Sequence, residues 1–480
     1  MNRKRNVYLL DPQLLPPETI AVTFAKTSRS PESFNEIAAE LTATSSAEFN
    51  EKWVVGYGHS SVAEHAVLHL ALENVSRLAI ENIESNRLAS YTEKSTRYQT
   101  WSDDAFYIPE ELNQHPLRAV YTDACSALFS AYKVCLDEVS SHLKSSGQKQ
   151  ENETDSQLNR RLRTQAIDAC RYLLPAAALA NVGMTVNARA LEHAIGKLLS
   201  SPLMEAKQIG EDMKQAAMAS VPTLLKYANR SSYLVDVKDE FSALKVASQA
   251  EISDWCQLID YDEAGLQRLL AAALYREQGI SFAQAQQWVT NLAPAERQSL
   301  LQRLLCTPSP HTTPARELEY ASFTFDLTLD QGAYFELKRH RMMSQTPQIL
   351  TTQLGYAVPR IIAEAGALPT YQAAMQTACE AHRQIASVNR EIAAYVVPNG
   401  FNRRVLLNMN LRSLVHFIRL RSAPNAHFAI RRAAQRMAEL VSASLPELAA
   451  YLGRNENETS RSIESNDFYD VCILCKGERR

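Results

Sequence analysis

An internal repeat constrains this chain more than any other feature. Twelve residues beyond Pro175 stands Asn187-Ala-Arg189-Ala-Leu191-Glu-His193, and twelve beyond Pro398 stands Asn410-Leu-Arg412-Ser-Leu414-Val-His416. The same residue types at the same offsets indicate a tandem duplication of one folding unit. Upstream, Glu64-His65 corresponds to Glu319-Tyr320, with 23 residues from Glu64 to Arg87 and 22 from Glu319 to Arg341. The second copy also carries Arg339-His340-Arg341, placed behind the strand-like Phe323-Thr-Phe-Asp-Leu-Thr-Leu329. Three consecutive side chains that donate hydrogen bonds or carry positive charge make a compact surface suited to phosphates. Net charge matters here: at -3 the chain has no global field for nucleic acid or an anionic membrane, so any anion must be held by a local cluster. No basic stripe is present, and a nucleic-acid partner is not expected.

The 480 residues give two or three domains and ample core. Val7–Leu10 and Ile20–Phe24 read as short strands, and Ser30-Pro31 with Glu32 reads as a helix start. Residues 113–146 and 160–171 have helical spacing, with a polar loop from Ser145 to Asp155 between them. Tyr227 to Lys245 reads as an irregular linker. Leu266, Leu269, Leu270, Ala273 and Leu274, the Ser281/Gln284 capping box and Pro294 mark an insert of two to four helices. From Asn455 the chain reads as loose until Phe468–Leu474, which is placed to dock. The expected divisions are 1–226 for the first repeat unit, 227–308 for linker and helical insert, 309–454 for the second unit and 455–480 for the tail. No apolar run of 18 residues and no signal peptide is apparent, so no membrane span is expected and a cytoplasmic location is. Eight cysteines scattered over the chain do not form a disulfide framework, and the lone Cys472-x-x-Cys475 lacks the second pair or histidine that a metal site needs.

Gly58-His-Ser-Ser-Val-Ala-Glu-His65, Val75-Ser-Arg77 and Ala89-Ser-Tyr-Thr-Glu-Lys-Ser-Thr-Arg-Tyr98 resemble the flavin-dependent thymidylate synthase family, whose signature joins an R-H-R triplet to a serine seven residues on and an R-Y pair after it. The resemblance continues through Cys170-Arg-Tyr-Leu-Leu-Pro175, Phe323-Thr-Phe, Arg339-His-Arg341, Asn410-Leu-Arg412 and His416-Phe-Ile-Arg-Leu-Arg421. It implies an α+β fold: two tandem units, each a mixed or antiparallel sheet with flanking helices, joined by the helical insert. It also implies FAD as cofactor, with dUMP, methylenetetrahydrofolate and NADPH as reaction partners. Family members are homotetramers with sites between subunits, so a fused chain implies a homodimer carrying four units.

Neither copy holds the whole signature, and the losses are complementary. The first copy reads Ser85-Asn86-Arg87 at the triplet but keeps Glu93, Ser95, Thr96, Arg97 and Arg171. The second keeps Arg339-His340-Arg341 but has Ile349 at the serine, Thr351-Thr352 at the R-Y pair and Ala394 opposite Arg171. Arg421, eleven residues after Asn410, falls where the family places the arginine that ionises the pyrimidine N3; the first-copy position is Leu198. The resemblance therefore implies one composite site. Glu93, Ser95, Thr96, Arg97, Arg171, Arg339 and Arg421 are its substrate-binding residues, with Arg421 catalytic, while Arg339, His340, Arg341, Asn410, Arg412 and His416 grip FAD. No metal is implied.

The residue types suit that chemistry. A phosphate in a partly dry cleft needs charge-assisted partners, and an arginine at the pyrimidine N3 favours the anionic ring and activates its carbon without a protein nucleophile. Other duties fit the same residues: Arg171 as a partner of a helix C-terminus, Arg97 paired with Glu93 at i, i+4, His416 as a core histidine. Glu336 is poorly suited to touching a phosphate. The rival expectation is a re-purposed or non-catalytic FAD- or nucleotide-binding relative with a structural or sensing role.

Overall fold

The structure is a computed structural model that describes residues 6–56, 59–102, 104–246, 254–306, 309 and 312–475. Gly58 of the first motif and residues 307–308 at the expected insert boundary lie outside the described residues. The fold is mixed α+β with small antiparallel sheets. The strands are β1 (Val67–Ser76), β2 (Ala89–Glu93), β3 (Leu179–Asn187), β4 (Cys256–Tyr261), β5 (Ser322–Asp330), β6 (Ser344–Pro347), β7 (Tyr356–Pro359), β8 (Asn402–Asn410) and β9 (Phe468–Ile473).

The chain packs into two compact units. One comprises Met1–Lys94, Tyr107–Pro116 and Ala178–Ser248; the other comprises Ser95–Phe106, Leu117–Ala177 and Gln249–Arg480. This partition cuts across the repeat, because residues 95–106 and 117–177 belong to the first copy by sequence and to the second unit by packing.

In the first unit the sheet order is β1-β3-β2, all antiparallel. Along β3, Ala180, Val182, Met184 and Val186 are buried while Asn181 and Gly183 are exposed, the period-two pattern of a half-covered sheet. The helices Ala188–Leu199 and Met204–Met218 pack against each other. The second ties back to the sheet through Glu205, whose carboxylate accepts from Ser76 N (2.8 Å) and Oγ (2.6 Å).

In the second unit the sheet order is β4-β5-β8-β6, with β5 and β8 in register from Ser322↔Asn410 to Asp330↔Asn402. The long helix Leu117–Ser146 from the first copy packs on its second-copy counterpart Leu368–Ala386. Beside them the two equivalent proline segments pair: Ala176 N donates to Val397 O (2.9 Å), Ala177 N to Tyr395 O (2.8 Å), Asn399 N to Leu174 O (3.0 Å) and Gly400 N to Tyr172 O (2.9 Å). This seam carries Arg171 from one copy to the start of the helix Gln331–Leu337 in the other.

The duplication is visible element by element. A 3-10 turn (Ser60–His65; Arg316–Tyr320), a long strand (β1; β5), a short helix (Arg77–Glu84; Gln331–Leu337) and an edge strand (β2; β6) recur in order. After the long helices come short 3-10 turns (Arg171–Leu173; Ala394–Val396), the central strand (β3; β8) and two helices, ending in Met204–Met218 and Phe428–Ser444.

Several local readings need correction. Ile20–Phe24 lies in a helix, Pro17–Lys26, because Pro17 occupies the first turn and Glu18, Thr19, Ala21, Val22 and Thr23 form its buried face; residues 7–10 form no strand. The next helix starts at Phe34 under a Ser33/Glu36 capping box, not at Ser30. The supposed linker contains the helix Ser232–Ala243, capped by Ser231. The insert has the expected helices, Gly265–Gln278, Phe282–Asn291 and Pro294–Leu305 among the described residues, but also the unanticipated β4, which extends the second sheet. The tail is ordered earlier than expected: Thr459 caps the helix Ser460–Asp467, and β9 pairs with β7.

Candidate functional site

Asp330 ends β5 and caps the helix that follows, its Oδ1 accepting from Ala333 N at 2.8 Å. That helix buries all seven of its residues, including Glu336, and the chain then turns through Arg339-His340-Arg341, with Arg339 exposed, His340 buried and Arg341 half-buried. The helix Leu411–Arg421 reaches this turn through Phe417, whose ring centre lies 5.0 Å from that of His340, and its last residue meets the turn as well. Arg421 donates from Nε to His340 Nε2 (2.9 Å) and from a terminal nitrogen to Glu336 Oε2 (2.9 Å).

The other oxygen of Glu336 faces the first copy. Arg171 stands 3.5 Å from Glu336 Oε1 and also donates to Thr96 Oγ1 (3.3 Å) and the Gly332 carbonyl (3.4 Å). A Cβ at Gly332 would lie 3.1 Å from Asp330 Oδ1, a tight approach, and 3.6 Å from the Arg171 guanidinium, an ordinary contact. Arg171 and Glu336 are almost wholly enclosed, at 2% and 6% side-chain exposure, while Arg421 is 14% exposed. Arg97 completes the cluster. It forms a forked pair with Asp168 (2.9 and 2.8 Å) and donates to Asn425 O (3.2 Å), and it lies close enough to Glu336 and Arg421 to act on both electrostatically. Ser95 accepts from Arg97 N at 3.2 Å.

Burial sets the protonation states. His340 is pushed down to about 3 by burial, then by the Arg421 and His416 charges, so its ring is neutral. Burial also lowers Arg421, with Glu336 opposing and Arg339 and Arg97 adding to the shift. Arg97 is raised: burial works against its charge, but the Asp168 hydrogen bonds and charge prevail. Asp330 is raised to about 6 by burial, in spite of its hydrogen bond from Ala333 N and the nearby Arg171. The guanidiniums of Arg97, Arg171 and Arg421 thus stand among the carboxylates of Asp168, Glu336 and Asp330, and Arg339 is near enough to act on Arg421.

The second unit therefore brings together Ser95, Thr96, Arg97, Arg171, Arg339, His340 and Arg421. Glu93 ends β2 in the first unit, where it pairs with the buried Arg77 at 3.5 Å. Asn410 is the cap of the helix Leu411–Arg421, and Arg412 and His416, four residues apart, share one of its faces. Asn410 caps that helix through Ser413 N (2.9 Å), and Arg412 pairs with Glu319 (2.7 Å). Their first-copy equivalents do the same: Asn187 caps through Ala190 N and Arg189 pairs with Glu64. The repeated Asn and Arg thus have a structural duty in both copies. His416 is exposed, its ring centre 5.6 Å from that of His340.

Sequence reasoning missed Asp168, His427 and Asp330. His427 is buried, accepts from Ala429 N at Nδ1 (3.2 Å) and reaches the Asp168 carbonyl through Nε2 (3.2 Å), fixing the residue that holds Arg97. Opposite Asp168 stands Glu391, and opposite Asp330 stands Ser76, which caps its own helix and also donates from Oγ to Glu205. Among the described residues no group of His, Cys, Asp or Glu is arranged to hold a metal ion, and no helix is long and apolar enough to cross a membrane.

The class defined here is that of a tandem α+β chain whose two copies meet at a cluster of guanidiniums and carboxylates. The model for the thymidylate synthase complementing protein family matches residues 12–223 and 257–447, so both copies are covered and the chain belongs to this family, that of the flavin-dependent thymidylate synthases. A UPF0159 protein of Chlamydia muridarum is 29% identical over 433 residues, covering 86% of this chain and 82% of its own length. One from Thermoplasma acidophilum is 27% identical, covering 85% and 88%. A flavin-dependent thymidylate synthase of Clostridium tetani is 26% identical over 217 residues, which is 45% of this chain and 83% of that protein. The UPF0159 relatives therefore share the two-copy length, and the clostridial protein matches about one copy. Among solved structures, a UMP/dUMP methylase from Streptomyces cacaoi bound with 5-Br dUMP has 19% identity and a TM-score of 0.33, covering 42% of this chain and 96% of that one.

Proposed function

We propose that this chain is a flavin-dependent thymidylate synthase of fused form, methylating dUMP to dTMP with methylenetetrahydrofolate and NADPH in a composite site. The supporting observation is the meeting of Arg171 from the first copy and Arg421 from the second on the single carboxylate of Glu336, with Arg97 beside them. Guanidiniums are charge-assisted donors of the kind a nucleotide phosphate needs. In this reading Glu93, Ser95, Thr96, Arg97, Arg171, Arg339 and Arg421 bind the nucleotide. Arg421 is the catalytic residue: held at the pyrimidine N3, its charge favours the anionic ring.

The donor set along Arg339, His340, Arg341, Asn410, Arg412 and His416 fits FAD. Guanidiniums suit its pyrophosphate and imidazoles its ring system, and the Arg412–Glu319 pair is half-exposed and weak enough to exchange for a phosphate. When bound, FAD supplies the hydride chemistry. The chain's own residues hold the nucleotide, orient the pyrimidine and keep it from water. The repeat units 1–226 and 309–454, the insert 227–308 and the tail 455–480 form one subunit of a cytoplasmic homodimer in this reading.

The decisive assay is tritium release from labelled deoxyuridylate with NADPH and methylenetetrahydrofolate, on protein first inspected for the yellow flavin spectrum. Release that depends on both co-substrates is expected. Flavin retention without release favours the second reading, a re-purposed nucleotide-binding relative. Asp168 and Glu336 speak for that second reading, because they already neutralise much of the cationic charge.

A further inference from the structure

We propose that the first copy carries a second anion site, for a phosphate or pyrophosphate group, centred on Lys197 and flanked by His193 and Arg87. All of its residues belong to the first compact unit. Arg189, His193 and Lys197 follow one another at intervals of four on the helix Ala188–Leu199, so they share one face. At the end of that row Lys197 Nζ donates to Ser85 Oγ, which joins the helix to the Ser85-Asn86-Arg87 turn. The Ser85 hydroxyl gives its own proton to Asn82 O at 2.6 Å. Among the described residues the other two N–H groups of Lys197 have no acceptor, and no carboxylate pairs with it.

A charge taken out of water is normally paired, so a half-buried ammonium without a counter-ion is a place for an anion from outside the chain. Burial pushes Lys197 below its ordinary value, and His193 is lowered by burial and then by the Lys197 charge, which makes the two close neighbours. The neutral, exposed ring of His193 adds an N–H donor. Arg87 stands exposed on the turn, and Arg189 is held by Glu64 in a pair that is about half exposed on both sides and weak enough to yield. Glu192, the other carboxylate beside Arg189, is itself raised by burial. The repeat separates this site from the flavin grip of the second copy. Lys197 stands ten residues after its capping asparagine, where the second copy has Leu420, so the ammonium belongs to the first copy alone. Ser85 and Asn86 replace Arg339 and His340, and Asn86 is buried with its Nδ2 donating to Ile83 O at 2.9 Å. The turn therefore offers no imidazole for a flavin ring, while the helix face keeps charge-assisted donors for phosphate oxygens. A lysine serving only its own helix end would sit on the last carbonyls, and Lys197 sits on Ser85 instead.

The test is titration calorimetry on the full-length protein with inorganic pyrophosphate, ADP and adenosine, comparing the unsubstituted chain with Lys197→Met. Pyrophosphate and ADP are expected to bind and adenosine is not. The second-copy cluster can take the same anions, and its share stays in the variant; the component that Lys197→Met weakens by about tenfold or more is the first-copy site. Pyrophosphate should also raise the urea midpoint of the unsubstituted chain by more than that of Lys197→Met, since only the former gains from the extra site. Flavin content should be the same in both proteins. ADP binding about tenfold tighter than pyrophosphate identifies a nucleotide as the source of the phosphate, and equal affinities identify free phosphate compounds. A Lys197→Met isotherm that superimposes on that of the unsubstituted chain overturns the proposal, as does adenosine binding as tightly as ADP. Loss of flavin from Lys197→Met overturns it too, because the face would then be a flavin site. If Lys197→Met does not fold, His193→Gln, at an exposed position, carries the same comparison. Neither turnover nor dUMP enters these readouts, so failure of the composite-site reading leaves this inference standing.

Discussion

His340 cannot take a proton on Nε2 while Arg421 donates to that atom, so the hydrogen bond and the burial agree on a neutral ring protonated at Nδ1. His382 is a second case, pushed down to about 4 by burial and then by Arg383, with its ring against Thr352. A histidine whose folded value lies below its unfolded one binds protons mainly in the unfolded chain. Its contribution is therefore intact above the ordinary 6.5 and is lost as pH falls toward the folded value. Asp330 works the other way: raised to about 6, it is protonated in the fold between its ordinary 3.8 and about 6, and in that window its contribution falls as pH rises. Asp330 thus contributes a gain on acidification below about 6, and His340 and His382 each contribute an opposing loss below 6.5, of at most about 1.4 kcal/mol per pH unit. Urea denaturation at a series of pH values reads the resulting slope, and His340→Asn, which keeps an acceptor for Arg421, should remove one of the two losses. An unchanged slope would remove His340 from the account. At this scale the sequence exposed the cations and hid their partners. Arg97, Arg171 and Arg421 were legible because a motif or a missing equivalent marks them, whereas Asp168 and His427 gain their role only from where the fold sets them.

The capping asparagines show what duplication preserves. Asn187 and Asn410 each satisfy an N–H at the start of a helix that follows the central strand, and the arginine two residues on pairs with a glutamate in the preceding 3-10 turn. Asn410→Ala should cost about 1 kcal/mol in urea denaturation, whereas Asn410→Asp should cost much less because an oxygen still faces Ser413 N. The seam between the copies sets a stricter limit at Gly400, where a Cβ would lie 2.8 Å from Tyr371 Oη and 2.7 Å from Met375 Cε. Met375 can swing aside, but Tyr371 is buried and donates to Ala357 O at 2.7 Å. Gly400→Ala should therefore destabilise by about 1–3 kcal/mol, readable as a lower midpoint with an unchanged slope. The helices Leu117–Ser146 and Asp155–Cys170, the three insert helices and the strand β5 were legible from period and caps. Ile20–Phe24 was not, because a β-branched and aromatic run suits a strand locally, while the Pro17 start and the burial of Ala21 and Val22 decide for a helix. β4 was unreadable for another reason: its pairing with β5 joins residues some 65 positions apart, and no local pattern announces such a partner.

Two partitions of the molecule coexist, and their disagreement is the most informative feature of the whole chain. The repeat was readable in sequence because it preserves offsets; the packing was not, because residues 95–106 and 117–177 leave their own copy's compact unit and join the other. Those segments carry Ser95, Thr96, Arg97 and Arg171, which is why four first-copy residues share a unit with Arg339, His340 and Arg421. A tandem gene product can then place both contributions to one site within a single chain, where separate subunits would have to exchange them across an interface. Complementation decides between these arrangements. Arg97→Ala and Arg421→Ala should each abolish turnover, and mixing the two purified variants under conditions that exchange subunits should restore almost none, since every chain carries a lesion in its own site. Were the site shared between chains, a randomly re-assorted dimer pool would hold some intact sites and recover about a quarter of the unsubstituted activity. Recovery of that size would mean that the pairing of Arg171 with Glu336 inside one chain is not the pairing that the working dimer uses.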